Sequence, residues 1–119
     1  MAYDRENIFA KILRGEIPCD KVHEDDHVLA FKDINPRKAI HVLVIPKGEY
    51  VSFDDFSATA SDAEIVGFTR AVGEIARDLG IDVSGYRFLA NTGPDGGQEV
   101  PHFHVHIFGG EHVGPMISG

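Results

Sequence analysis

The chain holds a single cysteine, Cys19, and no tryptophan, and its 19 acids outnumber its 11 lysines and arginines. One cysteine excludes an intramolecular disulfide and the paired thiols of a structural zinc module. A reducing compartment, the cytoplasm, is therefore the expected location. A formal net charge of -8 excludes the broad basic footprint that nucleic acid or an anionic membrane surface demands, so an anionic ligand would need a local site. No apolar run approaches membrane-spanning length, and the opening MAYDRENIFA places acids where a secretory signal has a basic and then an apolar run. An unexported, soluble protein without membrane or nucleic-acid partners is expected. Repeats, low-complexity tracts and linker-like shifts in composition are also missing, so residues 1–119 are read as one domain.

What is present is an ordinary globular composition, 43% apolar and 25% charged, enough to bury a core. NIFAKILRG reads as a short helix: Asn7 or Asp4 caps it, Ile8 and Ile12 share a face, and Gly15 stops it before Pro18. DKVHEDDHVLAFKDI alternates about an acidic turn and predicts two antiparallel strands. AIHVLVIPKG is a third strand, apolar on both faces and closed by Pro46 and Gly48. The long helix starts at Ser61, where SDAE is a capping box, and carries Ile65, Phe68, Val72, Ile75 and Leu79 as one stripe up to Gly80. GYRFLAN and HFHVHIF are two more strands, separated by the glycine-rich TGPDGGQEVP. Hairpin connections dominate this order. The expected fold is α+β: a five-stranded, mainly antiparallel sheet with a short N-terminal helix and one long helix, the helices against one face.

Chemistry concentrates in VPHFHVHIFGG, where His102, His104 and His106 recur at every second position. On a strand they stand in a row on one side, while Phe103, Val105 and Ile107 face a core on the other. Ordinary strand histidines, a metal site and phosphoryl chemistry compete for the row. At roughly 3.3 Å per residue the outer two Cα atoms are about 13 Å apart, too far for three rings to meet on one ion, although two could bind with a ligand from elsewhere. Neutral imidazole is a good nucleophile, and neighbouring rings can stay protonated to hold phosphoryl oxygens. The adjacent glycines of GPDGGQEVP offer backbone N–H groups for an anion.

The stretch NTGPDGGQEVPHFHVHIFGG resembles the signature of the histidine triad (HIT) superfamily, with alternating histidine and apolar positions. IFAKILRGEIP and EDDHVLAFKDINPRKAIHVLVIPK are similar to its Hint branch, the purine nucleoside phosphoramidase-like proteins. The resemblance implies a HIT-like fold with the sheets joined across a homodimer. It also implies a nucleotide hydrolase or transferase that cleaves purine nucleoside 5'-phosphoramidates through a covalent nucleotidyl-histidine intermediate, without cofactor or metal. The alternatives are a dinucleoside polyphosphate hydrolase and a nucleotide-binding scaffold with incidental activity.

By the same resemblance His104 is the nucleophile, its ring held by a main-chain carbonyl of the triad segment. His106 contacts the α-phosphate, His102 buttresses the row, and His41 is a further histidine near the site. Asp33 matches the acid that grips the ribose hydroxyls, a task suited to two acceptor oxygens. Ile8, Phe9, Phe31, Ile34 and Leu43 fall where the purine packs. Asn91, Gly97, Glu99 and Val100 match the phosphate and leaving-group shell, with Glu99 standing where many eukaryotic relatives have serine. Two departures bear on function: Asn7 and Ala10 replace the paired cysteines of some bacterial zinc sites, and the tail EHVGPMISG lacks a tryptophan found in some relatives.

Overall fold

The computed structural model describes residues 2–117. Met1 and the last two residues of the tail, Ser118 and Gly119, lie outside the described residues. In chain order come α1 (Ile8–Leu13), β1 (Lys21–Glu24), β2 (Val28–Lys32), β3 (Ile40–Pro46), α2 (Phe53–Thr59), α3 (Asp62–Asp78), β4 (Arg87–Leu89), α4 (Gly93–Gly96) and β5 (Val105–Gly109). The strands form one sheet in the order β1-β2-β3-β5-β4, every pairing antiparallel.

Local signals account for most boundaries. The Asn7 side chain accepts the Ala10 N–H at 2.9 Å to start α1, and Gly15 beyond its end takes a φ of 79° that only glycine adopts cheaply. Asp25 Oδ1 accepts from the amides of His27 and Val28 at 2.8 and 3.0 Å, which closes the acidic turn between β1 and β2. Ser61 and Glu64 form the expected reciprocal capping box at the start of α3.

The structure adds two helical elements to the expected pair. α2 is opened by a second capping box, Ser52 with Asp55, but at seven residues it is too short to show an apolar stripe. α4 is a single turn inside the glycine-rich connection, with no side-chain cap, and reads as loop in sequence. The helices also lie on both faces of the sheet rather than on one. Along β3, Val42 and Val44 pack with Phe68, Val72 and Ile75 of α3, whereas Leu43 and Ile45 pack with Phe9 of α1. The two-residue period of a strand separates these cores, and a β3 apolar on both sides is what such a sandwich requires.

The histidine strand is shorter than its alternation suggests. The ladder begins at Val105, because the N–H of His102 bonds the Val100 carbonyl at 2.9 Å and that of Phe103 bonds the Tyr50 carbonyl at 2.8 Å. The alternation survives outside the ladder. Phe103, only 2% exposed, is enclosed by Phe53, Phe56 and Phe68, and Val105 and Ile107 join the same core. The histidines turn to the α1 side.

Candidate active site

A cleft of about 570 Å³ opens on the α1 side of the sheet. Every residue expected at the site borders it except His102: Ile8, Phe9, Phe31, Asp33, Ile34, His41, Leu43, Asn91, Gly97, Glu99, Val100, His104 and His106 all line its walls. Antiparallel pairing explains the convergence. Register sets Leu43 beside His106 and His41 beside Phe108, so β3 and β5 present both histidines to one face. The β2–β3 loop brings Asp33 over them, its amide held by the His41 carbonyl at 3.0 Å. Phe9 from α1 stands edge-on to the His104 ring at 4.9 Å between centroids. Ile34 is a rim residue, 89% exposed, whereas Phe31 and Leu43 form the floor as part of the core.

Hydrogen bonds assign the proton on each ring. The His104 Nδ1–H donates to the His102 carbonyl at 2.7 Å, since a carbonyl can only accept. In the neutral ring Nε2 then carries the lone pair. It has no protein partner, and no buried polar side-chain atom among the described residues lacks one, so this nitrogen is reached from the cleft. The backbone N–H of Arg37 donates to His41 Nδ1 at 3.2 Å, leaving the His41 proton on Nε2, which donates to His106 Nδ1 at 2.9 Å. His106 therefore carries its own proton on Nε2. The cleft is offered one lone pair, from His104, beside one N–H donor, from His106.

Burial keeps these rings neutral. It is the leading cause that pushes His102 and His106 down to about 4, the second helped by its neighbours His104 and His41, and it lowers His104 and His41 as well. Folding therefore withholds protons that the unfolded chain binds below about pH 6.5, the usual histidine value. Stability is at its full level above that pH and falls as pH drops from about 6.5 to about 4; His102 alone accounts for about 3 kcal/mol across the window. Urea midpoints should be level from pH 8 to 7 and clearly lower at pH 5, a range in which Glu24, held down to about 2 by Lys21 and Lys47, stays ionised. A midpoint independent of pH between 7 and 5 would contradict the buried, neutral row.

Asp33, His41 and His106 bring three possible metal-binding atoms within 4.8 Å of one another. Among themselves the two histidines are joined by the His41 Nε2–H, which donates to His106 Nδ1. His23, Glu74 and Asp78 form a second such group, away from the cleft.

The glycine connection departs from expectation in one respect. The amides of Gly97 and Gln98 donate to the Pro94 and Gly93 carbonyls at 3.1 and 3.0 Å, so they close the α4 turn instead of standing free for an anion. Gly97 serves by its φ of 77°, which turns the chain toward Glu99 and Val100. Gln98 then ties the connection down: its Oε1 accepts from the Gly93 N–H at 3.1 Å, and its Nε2 donates to the carbonyls of Val51 and Val100 at 2.6 and 3.0 Å.

Four residues of consequence were missed by the sequence reading. Phe108, whose ring stacks at 1° to that of His106, continues the same-face alternation and was legible in it. Arg37 acts through its backbone, Gln98 through loop carbonyls and Tyr3 across 99 residues of chain, and no local pattern marks any of them.

A profile of the HIT domain matches residues 14–113. The chain belongs to the HIT domain family. It is 61% identical to an uncharacterized 13.2 kDa HIT-like protein of Azospirillum brasilense, over 98% of this chain and 95% of that one. It is 43% identical to the purine nucleoside phosphoramidase of Escherichia coli strain K12, over 95% and 94% of the two chains. Its fold superposes on a HIT family hydrolase from Clostridium thermocellum with a TM-score of 0.86 at 38% identity, covering 97% and 99% of the two chains. The five-stranded antiparallel sheet is thus the HIT fold. No helix among the described residues is long and apolar enough to cross a membrane.

Proposed function

We propose that this HIT domain hydrolyses purine nucleoside 5'-phosphoramidates, with His104 as nucleophile. The observation that carries the reading is the accessible, unprotonated Nε2 of His104 on the wall of a cleft that also holds Asp33. The likeness to a purine nucleoside phosphoramidase and to a HIT family hydrolase supports the reaction class.

The reaction has two steps. His104 Nε2 attacks the α-phosphorus and forms a P–N bond, while the bond to the leaving nitrogen breaks and that nitrogen takes up a proton from solvent. Water then attacks the same phosphorus and returns a proton to solvent, the bond to His104 breaks, and the nucleoside monophosphate leaves. Dividing the substitution in this way is the usual benefit of covalent catalysis. The His106 Nε2–H donates to a phosphoryl oxygen as charge grows there. Asp33 accepts from the ribose hydroxyls, and the base lies between Ile8, Phe9, Phe31, Ile34 and Leu43. Asn91, Gly97, Glu99 and Val100 border the leaving-group end, where Glu99 attracts a cationic amine.

Brief mixing with an adenosine phosphoramidate, followed by intact mass, should reveal a nucleotidyl increment on the wild-type chain. Its absence, with turnover proceeding, would reject the covalent route. A faster rate on a diadenosine polyphosphate than on the phosphoramidate would favour cleavage of P–O–P bonds. Tight nucleotide binding without turnover would favour a scaffold.

The reading includes a homodimer. β4 is an edge strand with Phe88 60% exposed, and an apolar hollow of about 740 Å³ lies beside it between Phe53, Val72 and Tyr86. A second copy covers such an edge and hollow together. Light scattering should return twice the 13.0 kDa chain mass, and Phe88→Lys should return the single mass. A monomeric wild type at micromolar concentration would reject this assembly.

A further inference from the structure

Tyr3 precedes α1, yet its hydroxyl reaches His102 Nδ1 at 2.5 Å, with the two rings edge-to-face at 5.5 Å between centroids. The segment that carries it is fastened at several points. Asn7 donates to the Asp4 carbonyl through its backbone N–H at 3.2 Å and its side chain at 2.7 Å, Arg14 donates to the Arg5 carbonyl at 2.7 Å, and the Arg5 guanidinium pairs with Glu49 at 2.9 Å. His102 itself has no exposed surface and does not border the cleft. Its role must pass through its neighbours.

The chemistry of that passage follows from which atoms can donate. The Pro46 carbonyl, 2.8 Å from His102 Nε2, can only accept, so Nε2 holds the proton and Nδ1 the lone pair. A buried lone pair needs a donor, and the Tyr3 hydroxyl is the group placed to supply it. The carbonyl of the same residue accepts the His104 Nδ1–H, the bond that leaves His104 Nε2 unprotonated toward the cleft. Hydroxyl, buried ring and carbonyl thus run in series to the nucleophile.

We infer that Tyr3 is a positioning residue, whose hydroxyl holds His102 in the orientation and tautomer that aim His104. The inference deepens the proposed reaction and rests on it for its kinetic arm only. Without the hydroxyl, Nδ1 is a desolvated acceptor with no donor, which is relieved in one of two ways. The ring turns toward another donor and moves the carbonyl with it, or it takes up a second proton and sets a positive charge beside His104. Either change degrades the nucleophile while the nucleoside-binding wall stays intact.

Tyr3→Phe removes one oxygen and keeps the ring packing. The expected result is a kcat on an adenosine phosphoramidate lowered about tenfold, the rate equivalent of one lost hydrogen bond, with KM within about twofold. Imidazole nitrogen NMR of the ligand-free protein supplies a readout that a merely structural strap would not move: the wild type should show His102 protonated at Nε2 and His104 at Nδ1, and the variant should lose the first pattern. Ser61→Ala, which removes the α3 cap away from Tyr3 and His102, serves as the control for lost stability alone; it should lower the melting temperature and leave the ring pattern unchanged. A Tyr3→Phe protein with wild-type kcat, or with reduced kcat and an unchanged His102 pattern, overturns the inference. If the wild type turns over no nucleotide at all, the proposed function fails, while the NMR comparison still decides whether Tyr3 sets the ring.

Discussion

Replacing His104 with alanine is expected to lower turnover of an adenosine phosphoramidate by at least about 10⁴-fold, the scale on which a covalent nucleophile is missed. The expectation rests on the two nitrogens having separate duties. Nδ1–H is committed to the His102 carbonyl at 2.7 Å, so Nε2 is the only ring atom with a lone pair to offer, and it is reached from the cleft. No other group in the cleft duplicates it, because the His106 ring presents a proton and the His41 ring is bonded at both nitrogens. Nucleotide affinity should survive within a few-fold, since Asp33 and the apolar wall are untouched. Alanine leaves the His102 carbonyl without its donor, so His104→Gln, which keeps an N–H donor, is the companion variant. Steady-state rates, nucleotide binding and intact mass together decide the matter. Turnover within tenfold of wild type in both variants would remove His104 from the nucleophile's place.

The second large effect concerns stability. Phe103→Ala should cost about 3–5 kcal/mol, the range for emptying a buried aromatic site. Phe103 is 2% exposed and lies at 4.9 to 5.8 Å from Phe53, Phe56 and Phe68, so α2, α3 and the segment leading into β5 meet on its ring. Backbone anchoring by the Tyr50 carbonyl restrains collapse into the vacated space, which keeps the cavity term large. For a domain of this size the midpoint of thermal unfolding should fall by about 10–20 °C. Phe103→Leu should cost clearly less. A shift below about 3 °C for the alanine variant would show that this cluster does not anchor the fold. Because Phe103 stands between His102 and His104 in the chain, the same variant tests whether the core face of the row supports its chemical face.

How far the sequence could be read follows from which interactions are local. The α1 cap at Asn7, the α3 capping box, the turn at Asp25 and the strand alternation all arise between residues within a few positions of one another, and each was legible. α2 and α4 escaped because seven and four residues show no helical period, even though the Ser52 and Asp55 box was present to be found. The expectation of helices on one face failed because the apolar residues of α1 do not say which side of a two-faced sheet they meet. Free glycine amides were expected near the anion, but that of Gly97 bonds the Pro94 carbonyl where the short α4 turn closes.

From the order of residues alone came the chemical half of the site: alternation puts His102, His104 and His106 on one side and Phe103, Val105 and Ile107 on the other, whether or not a ladder forms there. Tertiary structure decided which nitrogen of the His102 and His106 rings is free. Those choices depend on the Pro46 carbonyl, 56 positions from His102, and on the His41 N–H, 65 positions from His106 and itself fixed by the Arg37 amide. A single ring can carry its proton on either nitrogen at nearly equal cost in water. Only a folded chain, by burying the ring against a group that can solely give or solely receive, makes one of the two states prevail.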